Sequence, residues 1–170
     1  MWLTVILWII LISAAVLQAF RGFGRAIFDT LCLYAALWCA SASTHAAAGA
    51  IHLSSDPDSN HAGVFAALFV VYAVLGILVS RYVYSMTHFH LGMMEALLGL
   101  CAGIGAGIIL CHAVTCVVNF SGSGNGLGQS LVAQSPIGHE LYSFDSFHST
   151  MTAIEDSTGG PMKTVPDYSH

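Results

Sequence analysis

Charge is what this sequence has least of. Its 170 residues include four Lys or Arg and nine Asp or Glu, so 8% are charged against 56% hydrophobic, and mean hydropathy is +0.75. A soluble domain carries roughly 25% charged residues. A surface this poor in charge would not hold the chain in water, so lipid is the solvent for most of it. The net charge of -5 and the dispersed basic residues leave no patch to follow a phosphate backbone, which argues against nucleic acid as a partner. No glycine-rich phosphate loop stands between a strand and a helix, and no cofactor is expected. The five cysteines, Cys32, Cys39, Cys101, Cys111 and Cys116, form no C-x-x-C pair. Odd in number and set in apolar runs, they read as small packing residues rather than disulfide partners or zinc ligands.

Long apolar runs are what is present. Residues 2–20 hold no charged residue and residues 26–53 hold one, Asp29; between them lies Arg21-Gly22-Phe23-Gly24-Arg25, with two of the four basic residues. About 20 apolar residues suffice for a helix to cross the hydrocarbon layer. The stretch therefore reads as a helical hairpin with a basic turn at the headgroups. A soluble buried hairpin is the alternative, and the recurrence of the pattern further along speaks against it. Residues 2–20 lack the basic start of a cleaved signal peptide. Four spans are predicted near 2–20, 26–50, 62–80 and 91–118. Short arginine-bearing loops stay cytoplasmic. Arg21, Arg25 and Arg81 thus put residues 21–25 and 81–90 inside, and the acidic loop 52–61 and the C-terminal tail outside.

Particular side chains then suggest roles. Arg25 and Asp29 are four apart and share a helix face, so an interfacial ion pair is expected; an intramembrane carboxylate with a function is the sharper reading. Glu95 is a second carboxylate near the inner interface. Gly99, Gly103 and Gly107 form a stripe spaced by four, which lets another helix backbone come close. Its expected partner is the small stripe of the second span, Ala35, Cys39, Ala42, Ala46 and Ala50; a homo-oligomer interface or a partner's helix is the alternative. His45, His52 and His61 fall near the outer loop and read as solvated histidines rather than metal ligands. His88 and His90 lack a third ligand nearby, and no metal is expected. Asn119-Phe120-Ser121 matches a glycosylation acceptor, a frequent chance match.

The predicted organisation is all-α: a four-helix transmembrane domain over 1–119, a flexible linker over 120–135, an amphipathic helix over 136–155 and a disordered tail over 156–170. The linker is Gly- and Ser-rich. Ser135-Pro136 supplies an N-cap and a first-turn proline. Ile137, Leu141, Phe144, Phe147, Met151 and Ile154 then recur at spacings of three and four.

Several of these pieces together resemble the colicin V production protein (CvpA) family. They are the turn Phe20-Arg21-Gly22-Phe23-Gly24-Arg25, the stretch from Leu97-Leu98-Gly99 through Gly103 to Gly107, and Ser135-Pro136 after the last span. The resemblance covers nearly the whole chain. It departs from the family pattern at Ala26, where an acid is usual, at Glu95-Ala96, where an acidic-basic pair is usual, and at Ala106, which is often basic. The resemblance implies a bacterial inner-membrane protein with four spans, associated with production or export of a peptide toxin. The leading expectation is a non-enzymatic accessory or scaffold protein in the lipid bilayer, acting with export or envelope proteins or as a homo-oligomer. A small channel or transporter is the alternative, motivated by Asp29 and Glu95. An intramembrane enzyme is disfavoured, because Ser143, Asp145 and His148 are local positions on one helix rather than a triad assembled by a fold.

Overall fold

The computed structural model describes residues 2–87, 94–121 and 127–143. Among these, 93% are helical and none is in a strand. The helices are α1 (Trp2–Arg21), α2 (Phe23–Ala50), α3 (Pro57–Thr87), α4 (Glu95–Ser121), α5 (Leu127–Ala133) and α6 (Pro136–Ser143). The first four are each long and apolar enough to cross a membrane.

The turns follow from local chemistry. Gly22 alone separates α1 from α2, with φ 81° and ψ 157°, a backbone region open essentially to glycine. A Cβ there would also meet Glu95 Oε1 at 2.5 Å. At the other end of α2, Ile51 turns extended and donates its N–H to Ala47 O at 2.8 Å. Asn60 then fastens the loop. Its Nδ2 donates to Ala48 O and Ile51 O at 3.2 and 3.0 Å, and its Oδ1 accepts from Leu53 N at 2.6 Å. Buried in α3, this amide satisfies carbonyls that the end of α2 leaves open. Asp56 caps α3, its Oδ2 accepting from Ser59 N at 3.0 Å and Ser59 Oγ at 2.6 Å, and Pro57 takes the first helical position, where no N–H is missed.

The bundle is organised on α4, which touches the other three long helices; α1 packs chiefly on α4 and α2 chiefly on α3. The glycine stripe does make a close approach, but to α1 rather than α2. Cβ atoms added at Gly99, Gly103 and Gly107 would meet Gln18 O at 2.8 Å, Ala15 Cα at 2.7 Å and Leu11 Cα at 3.1 Å. The next face of α4 meets α2, where Thr30 Oγ1 donates to Ala102 O at 3.0 Å. The expected partner stripe of α2 turns outward: Ala35, Ala42, Ala46 and Ala50 are exposed, and Cys39 is half-buried. The buried stripe is instead Ala26, Asp29, Leu33, Ala36, Ala40 and Thr44. Asp29 sets this rotation, because a carboxylate facing lipid costs more than alanines facing lipid.

The predicted linker is also partly ordered. Within 120–135 the chain forms α5, because Val132 finds a buried place with Leu3, Leu7 and Cys111. α6 follows as expected from its cap. Ser135 Oγ accepts from Gly138 N at 3.1 Å and from Thr4 Oγ1 at 2.9 Å, which ties the cap to the start of α1. His112 Nδ1 lies 2.8 Å from Leu141 O, tying α4 to α6. Ile137 and Leu141 rest against the same cluster; the rest of the predicted 136–155 helix, the 156–170 tail, His88 and His90 lie outside the described residues.

Candidate functional site

The site grows from the α1–α2 turn. Gly22 folds the last turn of α1 back over the second turn of α2, which brings Gln18 and Arg21 onto Asp29. Arg21 Nη1 donates to Asp29 Oδ2 at 3.3 Å, and Gln18 Nε2 approaches the same oxygen at 3.4 Å. From α3, Ser80 Oγ donates to Asp29 Oδ1. Both carboxylate oxygens are thereby engaged, and Asp29 is 1% exposed. The arrangement ties three helices through one carboxylate. Such a group is costly in hydrocarbon unless paired and hydrogen-bonded.

The cation differs from the expected one. Arg21, not Arg25, holds Asp29, and Arg25 Nε is buried without a hydrogen-bond partner among the described residues. Helical spacing pointed to Arg25, but the tight turn brings the end of α1 nearer the carboxylate than the first turn of α2. Gln18 and Ser80 were not singled out from the sequence. The available signal was that each is a polar residue inside an otherwise apolar run, with Gln18 three residues from Arg21 and Ser80 next to Arg81. Glu95 does not join this cluster; it stands over Gly22 at the start of α4. Arg81 is exposed on α3.

A groove opens beside the cluster. A cavity of about 450 Å³ lies between α1 and α3, backed by Leu33, Ala106 and Leu110, and Gln18, Arg21 and Asp29 form one end of it. A second cavity of about 410 Å³ shares Ile10 and Leu110 with the first and runs toward Val118, with apolar lining only. At the opposite end of α2, His45, His52 and His61 line a separate cavity of about 360 Å³ with Asn60. No group of three or more metal-ligating side chains comes together among the described residues.

The remaining sequence candidates are structural in their surroundings. All five cysteines are free. Cys111 is buried, its thiol donating to Leu7 O at 3.3 Å, while Cys101 faces outward. Asn119 and Ser121 fall in the last turn of α4 rather than in a loop. Outside the bundle interior, Asp56 has its acidity raised, its carboxyl held below the ordinary 3.8 by the hydrogen bonds from Ser59. Ser143 ends α6, and Asp145 and His148 lie outside the described residues.

Comparison with known proteins bears on the whole of this architecture. No curated protein and no solved structure matches the chain. The family model described as colicin V production protein matches residues 3–143, from the start of α1 to the end of α6, and the chain belongs to that family.

Proposed function

We propose that this chain is a non-enzymatic membrane accessory or scaffold protein for production or export of a colicin V-type toxin. It sits in a bacterial inner membrane with the Arg21–Arg25 turn cytoplasmic and α5 and α6 outside. The observation that carries the reading is the fixed platform at the far end of the bundle. Ser135 and Thr4 lock α6 to α1, His112 ties it to α4, and Val132 anchors α5. A surface held this firmly presents one shape to a partner, whereas a loose tail would have to be ordered on contact at an entropic cost. Membership in the colicin V production family supplies the biological setting. The test is complementation of a toxin-producing strain lacking this protein, read as secreted killing activity. Thr4→Val with Ser135→Ala should lower secretion while toxin accumulates in the cell. Normal secretion with the platform loosened, as shown by faster hydrogen exchange in 136–143, would refute the reading.

A channel or transporter is the second reading, favoured by a buried carboxylate at the foot of a groove. Purified protein in liposomes would then conduct a proton or solute flux abolished by Asp29→Asn or Glu95→Gln. Absence of any flux above empty liposomes counts against it.

A further inference from the structure

The groove between α1 and α3 has the length and polarity of a lipid site. From Ile9 to Arg21 α1 rises about 18 Å, close to half of a hydrocarbon core of about 30 Å. Its walls are mostly apolar over that distance, with Leu17, Ala73 and Ile77 among them and Ser13 the one polar side chain before Gln18, and only its Arg21 end is charged. That end is the α1–α2 turn, at headgroup level. The neighbouring cavity toward Val118 has no polar side chain in its lining, so the two halves of the groove differ in what they can recognise. Arg21 spends one nitrogen on Asp29 and has no other polar partner among the described residues. Its side chain is 31% exposed. A guanidinium oriented by a buried carboxylate, with donors left over, is suited to a phosphate oxygen.

We propose that this half-groove binds a single phospholipid of the leaflet on the Arg21 side, with one acyl chain between α1 and α3 and its phosphate on Arg21. A cavity of 450 Å³ is within the range of small-molecule sites. A partner's helix, about 10–12 Å across with its side chains, would fill several times that volume over the same 18 Å. The site is independent of the accessory role in toxin production.

The test uses the full chain, delipidated in detergent and titrated with phosphatidylglycerol in mixed micelles, with bound lipid read by native mass spectrometry. One phospholipid per chain should be retained. Ser13→Trp places an indole in the groove from an exposed position and should abolish retention. Val16→Trp, exposed on α1 but outside the groove lining, should leave it unchanged. Arg21→Gln combined with Asp29→Asn removes both charges together and should weaken retention about fivefold, the effect of one arginine at an anionic surface. Glycerol 3-phosphate, the headgroup without chains, should not compete. The proposal is overturned if both tryptophan variants keep lipid as the parent does, if both lose it equally, or if a stoichiometric peptide occupies the groove instead. Should Ser13→Trp fail to fold, Ala73→Leu fills the same groove from α3 with a smaller side chain, and lipid retention equal to the parent's then overturns it.

Discussion

Gly103 is the position on α4 that is least tolerant of one added carbon. A Cβ there would stand 2.7 Å from Ala15 Cα, 2.9 Å from Ala15 O and 2.9 Å from Gln18 Cβ. Two of these atoms are backbone, so no rotamer change relieves the clash. Reaching ordinary contact, which begins at 3.4 Å, means moving α1 and α4 apart by about 0.7 Å, and a gap of that size forfeits about a quarter to a half of the dispersion attraction along the seam. Membrane helices have no hydrophobic term between them to offset the loss. Gly105 is the matched control: two residues along the same helix, its Cβ would meet only Thr30 Cγ2 at 3.5 Å. Both glycine-to-alanine changes gain the same intrinsic helix preference, about 1 kcal/mol in water, so the difference between them isolates the packing cost. Gly103→Ala should be less stable than Gly105→Ala by about 1–3 kcal/mol, the usual range for overpacking. Reversible unfolding of the purified chain in mixed micelles, followed by helical circular dichroism, measures this. Equal stability of the two variants would show that α1 and α4 do not meet at Gly103, and the assembly described above would fall with it.

The Arg21–Asp29 pair should behave asymmetrically. Arg21→Ala leaves a buried carboxylate without its cation and should cost about 3 kcal/mol, whereas Asp29→Asn leaves an arginine that can reach the headgroups and should cost less; the double variant should be more stable than Arg21→Ala alone in the same unfolding assay. Ser135→Ala removes the α6 cap and the partner of Thr4, and should cost about 1 kcal/mol with faster hydrogen exchange confined to 136–143. Asp56 has its pKa lowered in the folded chain, so its contribution to the start of α3 is present above the unfolded value and lost as pH falls through the lower folded one. Amide exchange at Ser59 should therefore accelerate, relative to Asp56→Asn, only in the acid range below 3.8. For orientation, cysteines placed at Asp56 and Ser130 should be labelled by an impermeant thiol reagent from outside intact cells; labelling only after the cytoplasmic side is opened would reverse the topology.

What could be read from the sequence was what depends on neighbours along the chain. Four spans followed from run length, the α6 cap from Ser135-Pro136, and close packing on α4 from glycines spaced by four. What could not be read depends on how each helix is rotated about its own axis. Hydrophobicity does not fix that rotation in lipid, because apolar residues occur all around α1 and α4. Spacing alone therefore leaves the partner of the glycine stripe open, and that partner is α1, not the α2 alanines. α5 is illegible in the sequence for a related reason: seven residues in a Gly- and Ser-rich setting carry little helical signal, and Val132 is helical because a pocket formed by α1 and α4 receives it. Asp29 shows which residue did contain the missing information. It is the one charged group in the second apolar run, and burial in protein is the cheapest place for it. Turning Asp29 inward places Ala35 about 120° away around α2 at 100° per residue, which is enough to carry the alanine stripe out of the bundle. Ser80 follows from the same requirement, since a carboxylate with two oxygens needs a donor for each, and α3 is the helix packed against that face. A single polar residue in an apolar run thus fixes the rotation of its own helix and the place of a donor on the next.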